Sequence, residues 1–136
     1  MSSEKPLLHA IMMCDFAYRD SGTGKYTLIG TFSDIRARSF PANHGPMGLY
    51  VAMSHWVNEQ EFSLQLVRES TDVVFKMPSI KIPKKEPFEK VEVGINLQSI
   101  PLVQPGRYSI EVMVNKEILH EFVFRAGLAP QIKQGE

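Results

Sequence analysis

Val91-Glu-Val-Gly-Ile-Asn-Leu97 decides the fold class. Val91, Val93, Ile95 and Leu97 are apolar, while Glu92, Gly94 and Asn96 between them are not; this is the period-two pattern of a strand with one dry face. The pattern returns further along, where Tyr108, Ile110, Val112 and Val114 alternate with Arg107, Ser109, Glu111 and Met113. Phe62, Leu64 and Leu66 alternate with Ser63 and Gln65 in the same way. A helix would set Phe62 and Leu64 about 200° apart, so a strand is expected there too.

Working outward, β-rich runs cover 8–18, 26–32, 49–56 and 73–77. The first two are separated by Arg19-Asp-Ser-Gly-Thr-Gly-Lys25, whose glycines allow positive φ. Ile80 and Ile82 form a short strand, and Pro78 and Pro83 beside it deny ladder donors, which predicts an edge or a connector. In the last hairpin, a two-residue turn at Asn115-Lys116 would pair Val114 with Glu117. A three-residue loop, 115–117, would pair Val114 with Ile118, Val112 with His120, Ile110 with Phe122 and Tyr108 with Phe124. The second choice stacks apolar partners on one face and is the one expected; it also turns His120 inward. No run of ten or more residues carries an amphipathic helical period. The expectation is therefore an all-β fold with little or no helix. Its form is a two-sheet antiparallel sandwich, Ig-like or jelly-roll-like, of about eight strands.

The chain has 136 residues, enough for one domain and too few for two ordinary ones. We expect a lead at 1–6, a single domain at 7–128 and a flexible tail at 129–136. Fifteen basic side chains balance fifteen acidic ones, without the basic excess a nucleic-acid binder uses to displace counterions. The densest basic stretch sets Lys81, Lys84, Lys85 and Lys90 against Glu86 and Glu89 among prolines, which reads as a solvated connector. Cys14 is the single cysteine, so no intrachain disulfide forms. With no basic run ahead of a long apolar stretch, a cytoplasmic protein that neither enters a membrane nor binds nucleic acid is expected.

One combination of segments is more specific. Cys14-Asp15 is followed by Gly24-Lys-Tyr-Thr-Leu-Ile-Gly-Thr-Phe32, then Phe40-Pro41 and Leu49-Tyr-Val51. Leu97-Gln98 and Pro105-Gly-Arg-Tyr108 come later. Together these resemble a family of uncharacterised bacterial proteins, over about residues 7–128. The resemblance implies an all-β sandwich and carries no activity and no functional residues.

Few residues are spaced for chemistry. A phosphate loop needs Gly-x-x-x-x-Gly-Lys-Ser/Thr; here the first glycine position falls on Arg19, and Tyr26 follows Lys25. His9, His44, His55 and His120 are scattered, without the clustering of a zinc site. Asp15, Asp20, Asp34 and Asp72 are equally isolated, against a calcium loop. Cys14 sits beside Asp15, whose charge raises a thiol's pKa, so Cys14 reads as a buried, inert thiol. No catalytic residue, cofactor or metal ligand is therefore assigned. The loop 39–47 is the longest irregular piece of mixed character, and loops of that kind carry binding. Phe40, Pro41, His44, Tyr50 and Trp56 are the candidate binding residues; Trp56 also reads as core, and Phe40 as a plug between sheets. The reading is a non-enzymatic binding or assembly module acting through loops or an exposed sheet edge, by self-association or with a protein partner. Two alternatives stand beside it: a small-ligand or carbohydrate-binding domain, and an enzyme whose residues converge only in three dimensions.

Overall fold

The computed structural model describes residues 5–69 and 71–130. Among them are twelve strands and no helix: β1 (Leu7–Arg19), β2 (Tyr26–Phe32), β3 (Ile35–Ala37), β4 (Ala42–His44), β5 (Met47–Ser54), β6 (Gln60–Arg68), β7 (Asp72–Lys76), β8 (Ile80–Ile82), β9 (Val91–Leu97), β10 (Ile100–Leu102), β11 (Gly106–Val114) and β12 (Glu117–Leu128). A four-stranded sheet runs β2-β1-β5-β9. A six-stranded sheet runs β3-β12-β11-β6-β7, with β8 joining β6 beyond the end of β7. β4 and β10 form a small third sheet.

The all-β class holds, and two details of the expectation are corrected. There are twelve strands rather than about eight. The surplus is chiefly β3, β4 and β10, each three residues long and too short to show a period. The pairing is also not wholly antiparallel, because β3 lies parallel to β12. β4 takes up part of the 39–47 segment expected to be irregular, between cis peptide bonds at Phe40–Pro41 and Gly45–Pro46. At the C-terminus, Ala129 still donates its N–H to the Ala37 carbonyl at 2.7 Å, which extends the β3–β12 pairing into the expected tail. Residues 131–136 of that tail and 1–4 of the lead lie outside the described residues.

The alternation read from sequence maps onto one core. Met13, Leu49, Val51 and Met53 of the four-stranded sheet share a buried cluster with Phe62, Leu64, Ile110, Val112 and Phe124 of the six-stranded sheet. Each such side chain contributes roughly 1.5–3 kcal/mol on burial. Tyr108 stacks on Phe124 at 5.8 Å between ring centroids, and its hydroxyl donates to the Gln104 carbonyl at 2.6 Å.

The β11–β12 hairpin combines both registers considered for it. The turn is the two-residue one: Asn115 and Lys116 both have positive φ, and Val114 pairs with Glu117. Between Met113↔Ile118 and Val112↔His120 the register then shifts, leaving Leu119 as the extra residue of a bulge. Beyond it the expected pairs return: Val112↔His120, Ile110↔Phe122 and Tyr108↔Phe124. The three-residue loop and its Val114↔Ile118 pair are thereby corrected. So is the inward His120, which is exposed, because β3 reaches only residues 126–128 of β12 and leaves the strand unflanked at His120.

Candidate functional site

Two regions stand out, and both depend on how β1 and β2 fold back. β1 pairs with β5 only as far as Cys14↔Gly48. Beyond that point it lies over β5 and β9. The Ala17 N–H donates to Asn96 Oδ1 at 2.9 Å, and Asn96 Nδ2 donates to the Ala17 carbonyl at 2.8 Å. A side-chain amide thus pairs with the backbone as a neighbouring strand would. The approach needs glycine: a Cβ on Gly48 would lie 2.9 Å from the Ala17 nitrogen and from Cys14 Sγ, and a Cβ on Gly94 would overlap the Tyr26 ring.

The first region is the outer side of this hairpin. β2 ends the four-stranded sheet, and its sequence, Tyr26-Thr-Leu-Ile-Gly-Thr-Phe32, holds no charge and no proline. Phe16 pairs with Ile29 and Tyr18 with Thr27. All four are exposed, Phe16 at 46% and Ile29 at 55%. Three edges are guarded, while β9, the opposite edge of the same sheet, carries Glu92 alone. β7 carries Asp72 and Lys76, β8 carries Lys81 between Pro78 and Pro83, and the open stretch of β12 carries Glu121 and Arg125.

The second region is a cleft of about 410 Å3 between β9, β8 and the β1–β2 turn. Lys90 to Gly94 line it consecutively, facing Ile80 and Ile82, with Arg19, Tyr26 and Lys85 around them. At one end the Gly94 N–H donates to the Tyr26 hydroxyl at 3.1 Å, and the Tyr26 ring meets Tyr50 edge-on at 5.3 Å. The Tyr50 hydroxyl donates to the Glu92 carboxylate. Burial, with that hydrogen bond adding to it, pushes the Tyr50 hydroxyl up to about 12. The Arg19 guanidinium lies 6.0 Å from the Tyr26 centroid. The opposite wall is fixed: Lys85 N–H donates to the Trp56 carbonyl at 2.7 Å, His55 N–H to the Pro87 carbonyl at 2.8 Å, and Trp56 Nε1 to the Ile82 carbonyl at 3.0 Å.

The five residues singled out from sequence do not form one site. Trp56 is fully buried, so it offers no aromatic platform; it joins the core to β8. Phe40 is half-buried and packs on the core, whereas Pro41 is exposed. His44 is half-buried, edge-on to Phe32 at 5.6 Å between centroids. Burial lowers the His44 pKa, and the charge of Asp15 offsets part of that. Of the five, Tyr50 reaches the cleft, through Glu92. Cys14 is fully buried, and burial raises its thiol pKa; a backbone hydrogen bond at Phe16 acts the other way, and Asp15 adds a smaller upward push. Sequence reasoning missed Asn96 and the Arg19, Lys85 and Lys90 rim. The available signal was Gly48 and Gly94 inside strands, which marks close approach of another segment. Among the described residues no group of three or more His, Cys, Asp or Glu is placed to hold a metal ion, and no helix is long and apolar enough to cross a membrane.

Residues 9–127 match the model of a family of unknown function, DUF6941, and the chain belongs to that family. The expected kinship with an uncharacterised family thus holds over nearly the whole chain. No curated protein matches it.

Proposed function

We propose that the protein is a non-enzymatic assembly module that associates through the open edge of β2, and that the occupant of that edge is a second copy of the same chain. The carrying observation is the edge itself, seven residues without charge or proline, whereas β7, β8, β9 and the open stretch of β12 each carry at least one charge. A bare edge is a template for strand pairing, and proteins normally blunt it. Self-pairing about a two-fold axis sets the strand against its own sequence and brings any charge on it near its own copy, a repulsion that an uncharged strand avoids. Gly30, at φ 67°, bends the strand near its end, so the pairing falls on 26–29.

The same reading takes the two larger sheets as the halves of one mainly antiparallel sandwich within a single domain over 7–128. Their shared core and the Tyr108 hydroxyl bonded to a carbonyl four residues upstream support it, since Greek-key sandwiches carry a tyrosine placed in this way. It also takes the chain as cytoplasmic, on the strength of its lone buried thiol. Sedimentation equilibrium across concentration tests the assembly claim. The native chain is expected to dimerise, and Thr27→Lys/Ile29→Lys to remain monomeric with an unchanged thermal melt. A native chain that stays monomeric at every concentration contradicts it.

A further inference from the structure

We infer that the cleft beside β9 is a second binding site, distinct from the β2 edge, and that it takes an extended acidic peptide segment added as a strand to β9. The residues lining the cleft give the geometry. A sheet face presents every second residue of a strand, yet Lys90 to Gly94 contribute consecutively. The cleft therefore runs along the backbone edge of β9, and β9 is the last strand of its sheet.

The phase of the edge follows from Gly94. Its N–H donates to Tyr26 and not across to its β5 partner Tyr50. In an antiparallel ladder the residues of one strand alternate between facing the partner and facing away. Gly94 and Glu92 thus direct N–H and C=O away from β5, into the cleft, and Lys90, just ahead of the strand, lines it as well. Tyr26 caps the Gly94 donor and closes that end. Glu92 remains as the outward rung within the strand, and Lys90 ahead of it extends the lining by about 7 Å, room for roughly three residues of an incoming chain. The volume agrees, since about 410 Å3 lies within the ~300–1,000 Å3 usual for binding clefts.

The walls give the chemistry. Ile80, 45% exposed, and Ile82 offer an apolar side to alternate side chains of such a segment. Arg19, Lys85 and Lys90 outnumber Glu89 and Glu92 around the lining, and Glu92 is engaged by Tyr50. The surplus is cationic and favours carboxylates. Because the Lys85 segment is tied to 55–56 by two backbone hydrogen bonds, little ordering cost remains for binding.

The test is panning of a random octapeptide display library on the full chain, followed by fluorescence anisotropy with the enriched peptides made synthetically. The expected result is enrichment of acidic sequences with alternating β-branched residues. Lys85→Glu/Lys90→Glu should weaken their binding at least tenfold. Glu92→Pro, which removes one outward donor and leaves the β5 ladder whole, should weaken it similarly, and Ile29→Lys should leave it unchanged. If the proline variant fails to fold, the charge-reversal pair decides alone. No enrichment over an unrelated control protein overturns the inference, as does binding indifferent to the charge reversal. Citrate competing as well as the peptide would overturn the strand-addition claim and leave an anion site.

Discussion

β8 and β2 are both edge strands, and the chain treats them in opposite ways. β8 is three residues long, carries Lys81, is bounded by Pro78 and Pro83, and is pinned to the core by the hydrogen bond from Trp56 Nε1 to Ile82. β2 is seven residues long and uncharged, and it is attached through the rest of the hairpin by Asn96 and Tyr26. A strand that must not pair is shortened, charged and nailed down, whereas one left bare has a use for its bareness.

The largest expected effect comes from cutting the anchor of the guarded edge. Trp56→Ala removes a fully buried ring and should cost about 3–5 kcal/mol in chemical denaturation. Trp56→Phe, which keeps most of the volume and loses the bond to Ile82, should cost markedly less. Cutting the anchor of the bare edge should cost less than Trp56→Ala. Asn96→Ala strands the N–H and carbonyl of Ala17, a loss of about 1–3 kcal/mol, and should raise amide exchange in 15–30 ahead of the rest. An equal loss with no local change in exchange would mean that Asn96 does not hold the hairpin.

Smaller still is the effect of charging the bare edge. Ile29→Lys should shift stability by no more than about 0.5 kcal/mol in the monomer, while weakening self-association by at least tenfold. The contrast between the two numbers is the point, because a strand needed for folding would not separate them. The smallest effect is on pH. The Tyr50 hydroxyl is raised from an ordinary value near 10 to about 12 in the folded state. Its contribution is fully present below pH ~10 and fades as pH rises towards ~12, because the unfolded chain releases that proton first. Tyr50→Phe should flatten the alkaline arm of the stability profile. His44, lowered by burial, acts in the other direction: its contribution is whole above about pH 6.5 and is lost on acidification.

Much of the fold was legible because a strand with one dry face writes its period into the chain. β2 was placed to the residue and β9 to within one, and the edge or connector character of β8 followed from its two prolines. β3, β4 and β10 escaped because three residues are too few for an alternation. His120 pairs with Val112 as expected, and its exposure was missed because an unflanked strand end is a tertiary fact, absent from the local pattern. The site was less legible than the fold. Arg19, Ile80 and Lys90 are far apart in sequence, and only the folding back of the hairpin brings them around one cleft. The bare edge, by contrast, was written plainly in Tyr26-Thr-Leu-Ile-Gly-Thr-Phe32; what the sequence lacked was the knowledge that nothing in the sheet covers its far side.

The most direct test of the contrast is hydrogen exchange by mass spectrometry on the native chain over a wide range of protein concentration. Amides of 26–32 are expected to slow as concentration rises while those of 80–82 do not change. Exchange in 26–32 that is independent of concentration, or an equal slowing at both edges, would contradict it.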